Sequence, residues 1–240
     1  MSLRILAIIP AYNESGNIAR TVREVLAQPL GVVPLVIDDG SRDDTSGEAL
    51  RAGAQVVQLP FNLGIGGAVQ TGYRYALEHD FDIAVQIDGD GQHDAVYLSA
   101  LIQPVIEGTA DISIGSRFSG GKAGFQSSVA RRIGIGFFRG LIRFLTGFHP
   151  TDPTSGFRAC NRRLIAVFAE YYPSDFPEPE AIVVARRLGA RLCDVPVIMR
   201  ERQEGKSSIG KLKSPYYMIK VTAAILLHML KDRKVYGPWA

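Results

Sequence analysis

The chain contains 240 residues, of which 46% are hydrophobic and 21% are charged. This composition excludes an intrinsically disordered chain and supplies enough apolar surface for a folded domain with a sizeable core. The net charge at pH 7 is only +3, which by itself does not indicate nucleic-acid binding.

Strand-like and helical patterns alternate from the start of the chain. The first apolar run, residues 3–9, is continuous and ends at Pro10, as in a strand that is buried on both faces. Further strands are predicted at 34–37, 54–59, 82–87 and 111–114. Helices are predicted at 14–28, from the capping residues at 43–45 onward, at 65–78 and at 95–107. This alternation indicates a doubly wound, mostly parallel α/β sheet that is flanked by helices.

The periodicity weakens after Arg117. A mobile loop is predicted at 120–126, a helix at 129–145 and a second loop at 152–158. A last helix, at 215–231, combines aromatic and aliphatic residues with flanking lysines, which suits the interfacial zone of a bilayer. Packing of this helix on the domain or on a partner protein is the alternative. We predict one domain at 1–212, followed by an amphipathic juxtamembrane helix and tail at 213–240.

Several features of the sequence indicate the cellular compartment of the protein. The opening apolar run is too short for a signal peptide, and the run at 221–230 is about half of a bilayer span. Cys160 and Cys193 are far apart in the sequence, which predicts buried free thiols in a reducing compartment. Lys and Arg are concentrated in the C-terminal third, which suits phosphate groups or anionic lipid, with a solvated basic face as the alternative. We expect a cytoplasmic protein that is peripherally associated with the cytoplasmic face of the membrane.

Carboxylate side chains follow three of the predicted strands. Glu14 comes after the first strand, Asp38 and Asp39 end the second, and Asp88 and Asp90 follow the fourth. Because ligands of open α/β sheets bind beyond the carboxyl ends of the strands, we expect these side chains to converge on one cleft.

The Asp88-Gly89-Asp90 element is the sharpest chemical signal. Aspartate is unfavourable in strands, and Mg²⁺ or Mn²⁺ prefers carboxylate oxygens together with substrate phosphates. Gly89 and Gly91 would let the backbone approach a ligand closely. The alternative is an ordinary polar turn after a strand. His93, beside this element, is equally compatible with a structural role and with ligation.

Other classes of site fit less well. The glycines at 64–67 follow the third strand, but Val69 stands where a dinucleotide-binding fingerprint needs another glycine, so they are better explained by close helix–sheet packing. The sequence contains no P-loop, and no Ser or Cys nucleophile lies in an elbow motif.

Three motifs, in this order and spacing, resemble the family 2 glycosyltransferases with the GT-A (Rossmann-like) fold: Pro-Ala-Tyr-Asn-Glu at 10–14, Asp-Asp-Gly-Ser at 38–41 and Asp-Gly-Asp-Gly-Gln-His at 88–93. Within that family the chain is most similar to the dolichol-phosphate mannose synthase branch, the polyprenyl-phosphate glycosyltransferases. The resemblance covers residues 3–212 and includes Asp-Pro-Thr-Ser-Gly-Phe-Arg at 152–158 and the segment from Arg202 to Ser207.

The resemblance implies a role for each matching position. The nucleotide-sugar would be bound by Pro10, Ala11, Tyr12, Glu14, Ile37, Asp39, Asp88, Gly89, Asp90, Gln92 and Arg117. The metal ion, Mg²⁺ or Mn²⁺, would be held by Asp90 and Gln92. The acceptor or its phosphate would be bound by Arg131, Arg158, Arg202 and Lys206. The catalytic residues would be Asp90, Arg117 and Arg202. The family often has lysine after the serine at 207, whereas this chain has Ser208, with Lys206 nearby.

Elementary chemistry also favours a phosphate acceptor. A phosphate monoester is already ionised at pH 7, whereas a hydroxyl acceptor needs a general base. The candidate bases, Glu178 and Glu180, are better interpreted as loop structure or donor contacts, while several arginines are available to pair with phosphate in a planar fork.

The sequence therefore predicts an inverting, metal-dependent hexosyl- or N-acetylhexosaminyltransferase that acts on a polyprenyl phosphate in cell-wall or surface polysaccharide synthesis. The likeness to bacterial cell-wall and exopolysaccharide members of the family implies a UDP-sugar donor, such as UDP-N-acetylglucosamine or UDP-glucose, with GDP-mannose as the alternative. The expected partners are the donor, the lipid acceptor and a membrane surface or small membrane protein, but not nucleic acid. Other open hypotheses are transfer to a soluble or glycan hydroxyl with a Glu base, a nucleotidyltransferase and a non-catalytic nucleotide-sugar-binding subunit.

Overall fold

The computed structural model describes residues 3–119, 129–174, 177–200 and 214–236. Its strands are β1 Ile5–Ala11, β2 Val33–Asp38, β3 Gln55–Gln58, β4 Ile83–Gln86, β5 Ile112–Ser116, β6 Arg158–Asn161 and β7 Leu192–Pro196. Its α-helices are α1 Ile18–Leu26, α2 Thr45–Arg51, α3 Gly64–Glu78, α4 Leu98–Ile106, α5 Val129–Thr146, α6 Arg162–Glu170, α7 Pro177–Arg187 and α8 Ser214–Leu230. Short 3-10 helices cover Ala95–Tyr97 and Arg233–Tyr236.

The strands form one seven-stranded sheet in the order β3-β2-β1-β4-β6-β5-β7. Every pairing that does not involve β6 is parallel, and β6 runs antiparallel to β4 and to β5. The mostly parallel α/β sheet predicted from the sequence is confirmed.

Helices cover both faces of this sheet because β1 is apolar along its whole length. Ile5, Ala7 and Ile9 pack with α1 and α4 on one face. Leu6 and Ile8 point to the other face and pack with α3, α6 and α7. All seven residues of β1 are buried, as its continuous apolar sequence predicts.

The predicted elements before residue 117 all exist, with shifted ends. The helix predicted from 14 begins at Ile18, because Gly16 has a φ of 92°, which lies outside the α-helical region. The helix predicted at 95–107 begins as a 3-10 turn capped by Asp94. The predicted loop at 120–126 lies outside the described residues.

Two strands and two α-helices beyond residue 150 were not predicted: β6, β7, α6 and α7. The interpretation of Glu178 and Glu180 as loop residues is wrong, since both lie in the first turn of α7. This helix begins at Pro177, and proline is well suited to a first helical position because its missing N–H has no intrahelical partner there.

The C-terminal helix α8 packs on the domain with one face. Val221 and Ile225 are fully buried in an apolar cluster with Phe138 and Ile142 of α5 and Ile182 of α7. Within the described ranges, no helix is both long enough and apolar enough to cross a bilayer.

Both cysteines are free thiols. Cys160 is buried, and burial raises the pKa of its thiol to about 12, so it is chemically inert at neutral pH. Cys193, predicted to be buried, is only half-buried.

Candidate active site

The predicted site residues lie along the edge of the sheet at which the parallel strands end. β1, β2 and β4 run in the same direction and end at Ala11, Asp38 and Gln86. β6 runs the opposite way, so its first residue, Arg158, pairs with Gln86 at the same edge. The loops after β1, β2 and β4 and the loop before β6 therefore meet at one surface, as the sequence predicts.

The loops after β1 and β2 are joined by hydrogen bonds. The Asn13 N–H donates to Ser41 Oγ at 2.9 Å, and the Arg42 N–H donates to Asn13 Oδ1 at 2.8 Å. The Glu14 N–H donates to Thr45 Oγ1 at 2.9 Å. Asn13 has a φ of 55°, in the left-handed region that asparagine adopts more readily than most residues. These contacts hold two of the three resemblance motifs as one unit.

Exposure separates the predicted base and ribose contacts into two groups. Tyr12 is 44% exposed, so its ring is available to pack against a base. Pro10, Ala11 and Ile37 are buried, so their side chains are not exposed to a ligand. Glu14, two residues after Tyr12 in the same loop, is also buried.

Asp39 connects the second motif to α3. Its two carboxylate oxygens accept the N–H groups of Leu63 at 2.6 Å and Gly64 at 2.9 Å, at the start of the helix. Burial raises the pKa of Asp39, and these two hydrogen bonds oppose that effect. Asp38 is fully buried and accepts the Ser41 N–H at 2.8 Å, so it shapes the turn.

Residues 88–92, which we call the acidic turn, pack directly against the end of β1. A Cβ on Gly89 would lie 3.1 Å from the carbonyl oxygen of Pro10, so only glycine permits this approach without movement. Asp90 Oδ1 accepts the Gln92 N–H at 3.0 Å, which closes the turn. The side chains of the turn that carry oxygen donors are all partly exposed: Asp88, Asp90 and Gln92.

These donors suit a hard divalent cation that also binds a substrate phosphate. Mg²⁺ and Mn²⁺ prefer carboxylate and amide oxygens and usually complete their coordination with water and phosphate. Among the residues that the structure describes, no group of three or more His, Cys, Asp or Glu side chains is arranged to hold a metal. Asp90 and Gln92 would supply two of these oxygen donors and leave the other coordination positions to water and phosphate.

His93 supports the acidic turn. The ring is buried, its Nδ1 accepts the Asp88 N–H at 3.0 Å, and its Nε2 lies 3.6 Å from Asp88 Oδ2. The ring also stacks on Phe157, with centroids 4.9 Å apart. The sequence left open whether His93 is a structural residue or a ligand. In the structure it makes a positioning contact with Asp88.

The segment before β6 passes immediately beside Asp88. A Cβ on Gly156 would lie 2.9 Å from Gln86 Nε2 and 3.3 Å from Asp88 Oδ1. A side chain at 156 would therefore displace the Asp88 carboxylate or its neighbour. The sequence analysis did not assign a role to Gly156. The only feature that could have indicated one is its position within the 152–158 motif.

Arg117, at the end of β5, is paired with a buried carboxylate. Its Nε donates to Asp152 Oδ2 at 2.6 Å, and its Nη2 donates to Asp152 Oδ1 at 2.8 Å and to Thr154 Oγ1 at 3.1 Å. The Arg117 side chain is 8% exposed and that of Asp152 is 0% exposed. The predicted phosphate contact of Arg117 would thus have to use Nη1.

Arg158 does not lie where the phosphate-binding prediction requires. Its side chain is 1% exposed, and its guanidinium donates to the carbonyl oxygens of Ser155 and Glu178. The contact with Glu178 shows that the side chain projects into the protein towards α7. The structure therefore shows Arg158 as a buried contact between the 152–158 segment and α7.

Glu178 lies in the electrostatic field of this site. Burial raises the pKa of its carboxyl group, the positive charge of Arg158 opposes this, and Asp88 and Glu180 raise it further. Glu180 instead accepts a contact from His228 Nε2 of α8 at 3.1 Å. Glu178 is therefore the better placed of the two candidate bases.

Three of the predicted phosphate-binding side chains lie outside the described part of the chain: those of Arg131, Arg202 and Lys206. Arg200, the last described residue before Arg202, is anchored beside the acidic turn. The Arg200 N–H donates to the carbonyl oxygen of Gln92 at 2.8 Å, and its guanidinium lies 2.8 Å from carboxylate oxygens of Glu24 and Asp94.

Comparison with known proteins agrees with this geometry. The family model for glycosyl transferase family 2 matches residues 6–168. The undecaprenyl-phosphate mannosyltransferase of Micrococcus luteus is 33% identical over 218 residues, which cover 87% of this chain and 88% of that protein. The UDP-N-acetylglucosamine–dolichyl-phosphate N-acetylglucosaminyltransferase of Methanococcus voltae is 28% identical over 212 residues, or 80% of this chain and 84% of that one.

Among solved structures, the fold is similar to that of glucosyl-3-phosphoglycerate synthase from Mycobacterium tuberculosis in complex with Mn²⁺, UDP and phosphoglyceric acid. The TM-score is 0.71 at 22% identity, with 95% of this chain and 78% of that chain covered. The GT-A fold implied by the three motifs is thereby confirmed. Together with the family-model match over most of the sheet, these similarities show that the chain belongs to glycosyl transferase family 2 and is a glycosyltransferase.

Proposed function

We propose that this glycosyltransferase moves a sugar from a nucleotide-diphosphate sugar to a polyprenyl phosphate, with inversion at the anomeric carbon. The observation that carries the proposal is the acidic turn, which packs on the end of β1 with partly exposed carboxylates. The names of the two relatives, which act on undecaprenyl and dolichyl phosphate, support the acceptor class. Cell-wall or surface polysaccharide synthesis is the proposed context.

The donor half of the site would be formed by the first two motifs and the acidic turn. Tyr12, Glu14 and Asp39 would bind the base and ribose, with backbone contacts from their buried neighbours in β1 and β2. A Mg²⁺ or Mn²⁺ ion on Asp90 and Gln92 would neutralise charge on the leaving diphosphate. The hydrogen bond from Gln92 N–H and the packing of Gly89 hold the turn in place before substrate binds.

The acceptor half needs positive charge more than a base, because a phosphate monoester is already a nucleophilic anion at pH 7. The proposed phosphate contacts are Arg131, Arg202 and Lys206. Arg117 would add a further phosphate contact through its Nη1 atom. Arg200 is fixed beside Gln92 by its backbone hydrogen bond.

We favour a UDP-sugar donor, on the similarity to the relative whose name specifies UDP-N-acetylglucosamine. The mannosyltransferase name of the other relative keeps GDP-mannose as the competing donor. We place the protein at the cytoplasmic face of a membrane, in contact with the lipid surface or with a small membrane protein.

A donor screen tests this proposal directly. Purified protein is incubated with UDP- and GDP-sugars, with or without detergent-dispersed polyprenyl phosphate, and the nucleotide product is measured. We expect nucleoside diphosphate release that depends on polyprenyl phosphate, with UDP-sugars as the better donors. Glu178→Gln should retain this activity, because the phosphate nucleophile needs no base.

Two outcomes would contradict the proposal. Pyrophosphate release would indicate a nucleotidyltransferase. Efficient transfer to a soluble hydroxyl acceptor that is lost in Glu178→Gln would favour the general-base alternative, for which the raised pKa of Glu178 is the specific supporting observation.

Replacing Asp39 with alanine should weaken UDP binding by about tenfold, because the substitution removes a proposed ribose contact and the two hydrogen bonds that hold the start of α3. Isothermal calorimetry in the presence of Mn²⁺ measures the change. Asp44→Ala, a substitution in the same loop at a largely exposed side chain, is the matched control and should bind UDP normally. Unchanged UDP affinity in Asp39→Ala would remove this residue from the site.

A further inference from the structure

Two helices of the structure carry apolar side chains on faces that no described residue covers. On α5, the exposed positions include Ile133, Phe137 and Phe144, which recur on one side of the helix. Phe144 is 86% exposed, which is exceptional for a phenylalanine. Sequence reasoning predicted this helix but gave it no function.

The exposed face of α8 is apolar along most of its length. Its exposed positions are Ile219, Ala223, Leu226, Leu227 and Leu230, and Leu230 is 83% exposed. The buried positions of α8 lie between these and pack on α5 and α7. The exposed apolar stripe is therefore a separate face of the helix from the one that packs on the domain.

The two exposed stripes begin near the point at which α5 and α8 touch. Met218 Sδ of α8 would lie 3.4 Å from a Cβ placed on Gly134 of α5, so the helices touch at this point. Ile133 and Ile219, the first exposed apolar residues of each stripe, are the immediate neighbours of the touching residues. Each stripe then extends for eleven further residues, or about 16 Å of helix.

We propose that α5 and α8 together form one surface that inserts into the interfacial zone of an anionic phospholipid bilayer, with α5 as a second anchor beside the C-terminal helix. Neither helix contains an acidic residue. Arg132 and Arg143 are exposed at either end of the α5 stripe, a charge pattern that complements anionic headgroups. That the acceptor is a lipid follows from the proposed function. The membrane-binding surface is inferred separately, from the exposed apolar side chains of α5 and α8 and the exposed arginines of α5.

The competing occupant is another helix, from a second copy or a membrane protein. Gly136 and Gly140 are exposed on α5 with no atom near the position of a Cβ, and small residues at this spacing allow close helix contact. The flanking arginines favour lipid, and the experiment includes an arm that detects self-association.

The test measures sedimentation of the full-length protein with vesicles of phosphatidylglycerol and phosphatidylcholine in equal parts. The Phe137→Ser/Phe144→Ser variant should bind about 100-fold more weakly, or about tenfold for each ring withdrawn from the interface. Leu226→Ser/Leu230→Ser should show a similar loss. The matched control is Leu26→Ser/Leu50→Ser, which removes exposed leucines from α1 and α2 near the opposite edge of the sheet and should bind normally.

Binding of the wild type should weaken with added salt and on pure phosphatidylcholine, because surface charge contributes to it. UDP calorimetry on each variant confirms that the domain is folded, and turnover on detergent-dispersed polyprenyl phosphate should be unchanged. If that turnover is absent in the wild type while the vesicle results hold, the proposed acceptor fails and the surface stands.

Three results would contradict the proposal that α5 and α8 form a membrane-binding surface. The α5 variant could bind vesicles as well as the wild type, or the control could lose binding to the same extent. Alternatively, the wild type could be a dimer in solution and the α5 variant a monomer, with vesicle binding the same in both, which would assign the stripe to self-association.

Discussion

Asp90→Asn should reduce sugar transfer by roughly 100-fold or more while leaving the fold intact. The loss corresponds to several kcal/mol of stabilisation that a metal ion gives to a leaving diphosphate. The fold should survive because asparagine keeps the Oδ1 acceptor to which the Gln92 N–H donates at 3.0 Å. Nucleoside diphosphate release measures turnover, and calorimetry of UDP with and without Mn²⁺ gives a readout that does not depend on turnover.

The matched control for this substitution is Asp80→Asn, in the turn that precedes β4 rather than the turn that follows it. Asp80 is exposed, and its φ of 56° suits asparagine, so this variant should be as active as the wild type. Full activity of the wild-type enzyme in excess chelator, or Mn²⁺-dependent UDP binding that survives in Asp90→Asn, would contradict the metal assignment.

The parts of the site that could be predicted from the sequence are those in which local pattern and chemistry coincide. The carboxylates of the acidic turn follow a buried strand, and parallel topology brings such strand ends together whatever the details of packing. Glycines at 89 and 91 gave a further local signal, and the structure shows that Gly89 is pressed against the end of β1.

The parts that could not be predicted depend on contacts between distant residues. β6 has only four residues and includes Arg158 and Asn161, so nothing in its own sequence distinguishes it from a loop. Its strand conformation comes from pairing on both sides with β4 and β5. The same pairing buries Arg158, which explains why a residue that reads as a phosphate ligand instead bonds to backbone carbonyls.

The role of His93 could not be predicted either, because it also depends on a contact between residues that are distant in the sequence. Its position five residues after Asp88 suggested either a ligand or a structural residue, and sequence gave no preference. The stacking partner, Phe157, lies on the segment before β6, and only the folded sheet brings it next to the acidic turn. Residues 152–158 thus contact the acidic turn, through Gly156 beside Asp88 and Phe157 stacked on His93.

Asp152→Ala should destabilise the protein by about 3–5 kcal/mol, because it leaves the Arg117 guanidinium buried without its counter-charge. Urea unfolding measures the change, and Asp44→Ala, which removes a largely exposed partner of Arg51, should have a much smaller effect. Turnover should also fall steeply, because residues 152–158 support Asp88 through Gly156 and Phe157.

The double variant Arg117→Met/Asp152→Leu separates structural support from catalysis. Replacing both members of a buried ion pair with apolar residues of similar size often restores stability, so we expect the unfolding midpoint to return close to that of the wild type. Turnover should stay low, because the proposed phosphate contact through Arg117 Nη1 is still missing. Recovery of stability together with full turnover would show that Arg117 serves only to hold the 152–158 segment, and the catalytic role implied for it by the family resemblance would be wrong.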